Sequence, residues 1–227
     1  VTTKNKPLKV KAIQKLLSML FPVKIESSKG TSTPELTLYY FQGRWQLSAA
    51  TALYSDGSVY KPLLLAFKYL QKERAKITNM LVLGAGLGSA VEVLARFNCY
   101  PSSTLVEIDP QIIAWANDLL HHQKSTTETK WICQDASDFI QTNRQCYDLV
   151  VLDIFEDRQV PNFVCTDSFL SACKNAVHKE KGILIFNYII NNERDWETLL
   201  ALMQSIFIIQ HIIAIGINRI LILRNNA

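Results

Sequence analysis

The sequence predicts an α/β fold in which a mostly parallel sheet carries helices on both faces. Three observations lead there. From residue 60 onward, short apolar runs alternate with segments of helical periodicity. A glycine turn, Gly84-Ala85-Gly86-Leu87-Gly88, joins one of those runs to a helix. The last two apolar runs lie so close together that they must pair antiparallel.

The 227 residues, 48% of them hydrophobic and 19% charged, are enough for one large domain with a small appendage. The division falls between residues 1–58, a helix with a β-hairpin, and residues 59–227, the Rossmann-like domain. In the first part, Leu8, Val10, Ile13, Leu16, Leu17 and Leu20 recur at helical spacing, predicting an amphipathic helix over 7–21. Residues 27–34, rich in Ser, Thr, Gly and Pro, read as a turn between strand-like segments 23–26 and 36–48, and Gly43 bends the second into a hairpin.

In the second part a helix over 60–72 leads to the buried run 80–83, the glycine turn and a helix over 89–97. Strand-like runs follow at 104–108, 131–133, 149–152 and 183–186, separated by helical segments near 111–120, 137–142, 167–177 and 194–206. Such alternation implies right-handed crossovers and a parallel sheet. Runs 208–215 and 219–224 are joined by only Gly216, Ile217 and Asn218. A seven-stranded, mostly parallel sheet that ends in an antiparallel hairpin is the layout of a Rossmann-like class I methyltransferase fold.

Composition excludes several classes. The stretch 206–223 is rich in isoleucine, but Gln210, His211, Asn218 and Arg219 are costly in lipid, so no membrane span is expected. The net charge of +4 is uneven: residues 1–30 hold seven lysines against Glu26 alone. That segment has no arginine and only Phe21 as an aromatic, so it reads as a solvated helix face and not as a nucleic-acid arm. Five cysteines without a C-x-x-C pair read as free buried thiols of a cytoplasmic protein, with neither zinc nor disulfides. His121 and His122 read as surface residues, so no metal is expected. The apolar face of 7–21 could bury against a second copy in a homodimer.

The chemistry gathers at strand ends. Glycines 84, 86 and 88 let the backbone turn tightly and let a ligand approach its peptide groups. Ser89 stands where a dinucleotide fingerprint has its third glycine. Glu107, 21 residues after Gly86, ends the next strand, where a carboxylate can accept from both ribose hydroxyls. Asp109 reads as a helix cap or a further contact. Asp135, followed by Ala136, ends the third strand, placed to accept from the exocyclic amine of adenine while also capping a helix. Asp153 ends the fourth, where it can take a proton or face a cationic sulfonium. Phe155 and Pro161 would wall the site. Together these residues point to S-adenosylmethionine or a close analogue. An NAD(P)-dependent oxidoreductase and a catalytically silent nucleoside-binding regulatory protein are the rival readings.

Further residues carry a resemblance. Asp153-Ile154-Phe155, Val160-Pro161, Thr166 with Phe169, and Asn187 at a strand end resemble the spermidine synthase-like family. Gly43-Arg44-Trp45-Gln46 is similar to its hairpin, and Tyr54-Ser55 with Tyr60 to its tyrosine segment. The resemblance adds decarboxylated S-adenosylmethionine as such an analogue and implies a transferase acting on a small, amine acceptor, with Gly84, Gly86, Glu107, Asp135 and Asp153 around the nucleoside. Gln46 and Tyr60 would close the pocket, Asp153 would be the base, and Tyr60 would orient the acceptor. The chain departs from aminopropyltransferases at Leu87, where they carry an acid that grips the donor's amine. It departs again at Pro62, where they carry another acid, and at Asp157, where the family has a proline-containing D-x-x-D-P segment.

Overall fold

The computed structural model describes residues 8–29, 35–49, 52–120, 128–156 and 158–225. A short helix α1 (Ala12–Leu17) precedes an antiparallel meander of β1 (Val23–Ser28), β2 (Leu36–Phe41), β3 (Arg44–Ala49) and β4 (Ala52–Ser55). Phe41 pairs with Arg44 around a two-residue loop, Gln42-Gly43, whose φ angles of 48° and 80° are both left-handed. Such a turn matches the twist of the strands it joins, and glycine supplies it without strain.

The rest alternates helix and strand: α2 (Lys61–Tyr69), β5 (Asn79–Leu83), α3 (Ser89–Ala95), β6 (Ser102–Glu107), α4 (Pro110–Leu120), β7 (Thr129–Cys133), α5 (Ala136–Thr142), β8 (Leu149–Leu152), α6 (Asp167–Ala176), β9 (Ile183–Ile189), α7 (Glu193–Ile206), β10 (Phe207–Ile215) and β11 (Asn218–Asn225). The second sheet has seven strands in the order β10-β11-β9-β8-β5-β6-β7. It is parallel except for β11, which inserts between β9 and β10 and runs antiparallel to both. This is the expected class I methyltransferase fold.

Period-two alternation explains the two apolar layers. On β5, Leu81 and Leu83 join the layer under α5, α6 and α7, while Met80 and Val82 join the one under α2 and α3. On β8, Val150 and Leu152 divide from Leu149 and Val151 in the same way. A third cluster ties the small sheet to the large one: Leu36, Leu38, Leu47 and Ala49 pack against Leu87 of the glycine turn and Ile112, Trp115, Ala116 and Leu119 of α4.

Several expectations need correction. The first helix is confined to Ala12–Leu17. Its apolar residues find no core, since Ile13 is 66% and Leu16 72% exposed. Without packing, a short helix has little to stabilise it. Ser27 and Ser28 extend β1 instead of turning, and residues 30–34 of that expected turn lie outside the described residues, as do Lys4, Lys6, His121, His122 and Asp157. A further strand, β4, is only four residues long, too short for a clear alternating pattern, and Asp56-Gly57-Ser58 follow it. The cysteines are free, but only Cys99 and Cys173 are buried, while Cys133 and Cys146 are exposed. No helix among the described residues is long and apolar enough to cross a membrane.

Candidate functional site

The chain leaves β5 to one side through α3 to β6, and β8 joins β5 on the other side. At that reversal the crossovers diverge, and a crevice opens at the carboxyl ends of the strands. The crevice is a cleft of roughly 850 Å³ including its open mouth. Gly84 and Gly86 line it from β5, Glu107 and Asp109 from β6, Asp135 and Ala136 from β7, and Asp153 from β8. Ile108, Ile112, Ile154, Phe155, Pro161 and Phe163 supply apolar walls. Four successive strand tips thus converge on one space.

The glycine turn is held in a conformation that side chains resist. Gly84, Gly86 and Gly88 have φ of 80°, 53° and 88°. A methyl group on Gly84 would strike the main-chain carbonyl of Asp153, and one on Gly86 would lie 2.8 Å from Ser55 Oγ. The turn therefore presses against the end of β8 on one side and against β4 on the other.

Its N–H groups are already engaged. Gly86 N–H donates to Glu107 Oε2 at 2.9 Å, and Leu87 N–H donates to Ser55 Oγ at 3.0 Å. Glu107 Oε1 also accepts from Asp109 N–H at 3.1 Å. Burial pushes the Glu107 carboxyl above its ordinary value, and the N–H groups of Asp109, Gly86 and Ile108 pull it back. A carboxylate offers about four lone-pair sites, so Glu107 keeps acceptor capacity beyond these N–H groups.

Asp135 caps α5: its Oδ1 accepts from Ser137 N–H at 2.7 Å and from Asp138 N–H at 3.4 Å. Both bonds fall on one oxygen. Asp109 Oδ1 accepts from Gln111 N–H at 2.8 Å at the start of α4. For both residues, then, the capping role is observed and the position in the cleft is observed with it.

Asp153 sits in a polar chain. Tyr60 Oη donates to Asp153 Oδ1 at 3.2 Å, and Asn187 Nδ2 reaches the same oxygen at 2.8 Å and the tyrosine hydroxyl at 3.1 Å. Asn218 Nδ2 in turn donates to Asn187 Oδ1 at 2.9 Å, which fixes the orientation of that amide. Burial raises the Asp153 carboxyl to about 7, against the opposing hydrogen bonds from Asn187 and Tyr60. Burial, with the adjacent carboxylate, also drives the Tyr60 phenol well above its usual value, so it stays protonated.

Not all the sequence candidates gather here. Among the described residues lining the cleft, Gln46, Ala85, Gly88 and Tyr60 are absent. Gln46 Nε2 donates to Asp56 Oδ1 at 2.8 Å. Tyr60 touches the site through Asp153 and lines a neighbouring cavity instead. Ala85 is buried in the layer under α2 and α3, and Gly88 precedes α3 in a left-handed conformation. Conversely, Asn218 and the bond from Leu87 to Ser55 carried no sequence signal, because their partners lie 31 and 32 residues away. No cluster of metal-ligating side chains occurs among the described residues.

Comparisons with known proteins follow the same lines. The polyamine aminopropyltransferase of Alkaliphilus oremlandii is 31% identical over 113 residues, which span 48% of this chain and 39% of that enzyme. The chain therefore matches less than half the length of this relative. Among solved structures, a probable spermidine synthase from Corynebacterium glutamicum superposes with a TM-score of 0.72 at 16% identity, covering 88% of this chain and 79% of the other. Human methyltransferase-like protein 13 in complex with SAH gives 0.60 at 23% identity, covering 72% and 79%. At such identities these two show a shared fold. The profile described as "Spermine/spermidine synthase domain" matches residues 58–215, from the end of the small sheet to the end of β10, and so takes in every strand tip of the cleft; the chain belongs to that family.

Proposed function

We propose that the protein transfers a carbon group from S-adenosylmethionine, or from its decarboxylated form, to the nitrogen of a small amine. One observation carries the reading. The acidic residues Glu107, Asp109, Asp135, Asp153 and Glu156 line the cleft, and no lysine or arginine is among its described lining residues. Carboxylates suit sugar hydroxyls, an adenine amine and a sulfonium cation, and they repel a pyrophosphate. The turn's N–H groups, which hold the pyrophosphate in dinucleotide-binding folds, are here turned onto Glu107 and Ser55. Both features speak against the NAD(P) reading.

In this reading Glu107 holds the ribose, Asp135 receives the adenine amine on its second oxygen, and the apolar walls flank the ring. Asp153 takes a proton from the acceptor's ammonium. The freed nitrogen lone pair then forms a bond to the carbon on sulfur, the carbon–sulfur bond breaks, and its electron pair leaves with a neutral thioether. A carboxyl that titrates near neutrality is matched to such a proton transfer. Tyr60 and Asn187 hold the carboxylate in one orientation, and Asn218 holds Asn187.

Leu87 bears on which group moves. Its side chain is 2% exposed and belongs to the apolar cluster of Leu36, Leu38, Leu47 and Trp115, so this turn offers the amine of a decarboxylated donor no acid there. This favours methyl transfer, while membership of the family favours aminopropyl transfer. Calorimetric titration with S-adenosylmethionine, its decarboxylated form and methylthioadenosine separates the two by which donor binds more tightly. Failure of all three to bind would overturn the proposal, and binding without thioether release across many amines would leave a silent nucleoside-binding protein.

A further inference from the structure

A second cavity adjoins the cleft, and Tyr54 and Phe155 line both. Its charge is of the opposite kind. Lys61 and Arg158 face it, and among its described lining residues Asp56 is the one carboxylate. That carboxylate is already held: Gln46 Nε2 donates to its Oδ1 at 2.8 Å, and Arg44 Nε lies 3.6 Å from the same oxygen. Arg158 makes an interaction of its own, and Lys61 is an exposed cation on the same wall. Lys61 opens α2, where the helix's own partial positive charge disfavours a cation, and no acidic residue stands in that first turn. A cation kept where local structure opposes it points to a use beyond folding.

Tyr60 connects the two spaces. It lines the second cavity, and its hydroxyl is bonded to Asp153 in the first. Leu53, Pro62, Ile189 and Ile217 give the same cavity apolar wall that suits a short methylene chain. A diamine here would bring its far ammonium against Lys61 and Arg158, and the carboxylate among the described lining residues, Asp56, is already engaged. An amine that also carries a negative group would meet Lys61 with that group and Asp153 with its nitrogen.

We propose that this second cavity is the acceptor site and that it takes a primary amine bearing a carboxylate or another anionic group, and not a diamine. The inference rests on the donor reading above. The test titrates 4-aminobutanoate, 2-aminoethyl phosphate and 1,4-diaminobutane into the full chain, both alone and saturated with methylthioadenosine. The expected result is that at least one anionic amine binds 10-fold or more tightly than the diamine and weakens with added salt. Lys61→Glu should reverse that preference and leave methylthioadenosine binding unchanged, and Lys61→Met should abolish it. Tighter binding of the phosphate than of the carboxylate would support the anionic class and name its group. Equal or tighter binding of the diamine, no binding of any of the three, or a preference that Lys61→Glu leaves intact would overturn the proposal. Loss of methylthioadenosine binding in the unaltered chain would count against the donor reading separately, since the acceptor preference is also read without it.

Discussion

Tyr60 and Asp153 lie 93 residues apart in the chain and share a hydrogen bond of 3.2 Å, in which the phenol donates to Oδ1. Tyr60 stands just ahead of α2, and Asp153 just past β8. The bond therefore joins a residue that lines the second cavity to one that lines the cleft. Because Asn187 also reaches that oxygen, Asp153 is fixed on one side and open to the cleft on the other.

The first prediction concerns pH. With Asp153 raised to about 7, the fraction able to accept a proton grows as pH rises through neutrality. The rate should climb between pH 6 and 8 and level off above, as read from thioether release at saturating donor. Asp153→Asn should lower it roughly 100-fold or more and remove the inflection. A flat profile in the unaltered protein would remove Asp153 as the base.

The same shift has a stability consequence of definite sign. A carboxyl whose folded value lies above its unfolded one binds more protons in the folded state between about 4 and 7. Its contribution to stability is thus present at low pH and lost as pH rises through about 7. Asp153→Asn should raise the melting temperature at pH 8 and give little gain at pH 5, by about 2–4 °C for each kcal/mol recovered. Thermal unfolding at the two pH values reads the difference.

Glu107 combines a binding role with a structural one. Glu107→Gln keeps one acceptor for the buried N–H groups of Gly86 and Asp109, whereas Glu107→Ala leaves both unpaired, at a cost of roughly 1–3 kcal/mol each. The alanine variant should therefore weaken S-adenosylmethionine, its decarboxylated form and methylthioadenosine by the same factor, about 10-fold or more, and also lower the melting temperature. Unequal losses across the three ligands would mean that Glu107 does not hold the part they share.

How much of this was legible in the residues follows from range. The strands around the glycine turn were clear because a buried run, a turn residue and a helix period are all local signals. The 21-residue step from Gly86 to Glu107 was clear for a similar reason: one strand–helix–strand unit fixes it. The first helix is shorter than its apolar periodicity, because periodicity alone does not provide a packing partner. The resemblance puts Gln46 at the pocket, and only the fold shows its amide turned onto Asp56. The bond from Asn218 to Asn187 depends on β11 inserting beside β9, a pairing that no local pattern states.

Leu87 supplies a test of whether the donor site can be converted by one residue. Its side chain lies among Leu36, Leu38, Leu47, Ile112 and Trp115, not in the cleft. Leu87→Asp would bury an unpaired carboxyl there, at a cost of roughly 2–5 kcal/mol. Marked destabilisation with no gain in affinity for the decarboxylated donor is expected from thermal unfolding and calorimetry together. A stable variant with improved binding would show that this turn can present an acid to the ligand.

Gly84 gives the sharpest geometric prediction, because two independent constraints meet in it. Its φ of 80° is strained for any residue with a side chain, and the added methyl would collide with the carbonyl of Asp153, a backbone atom that cannot swing away. Relief requires the end of β8 to move from β5, and Asp153 N–H donates to Leu83 carbonyl at 3.0 Å along that contact. Gly84→Ala should thus cost on the order of 1–3 kcal/mol in stability. It should lower turnover by a larger factor than donor affinity, since the displaced group is the proposed base while Glu107 keeps its place on β6. Gly43→Ala is the control: its φ is also 80°, but nothing lies within 4 Å of the added methyl. It should show the backbone strain alone, with turnover unchanged. If the two variants lost turnover equally, the close packing of the glycine turn against Asp153 would not be what positions that carboxylate.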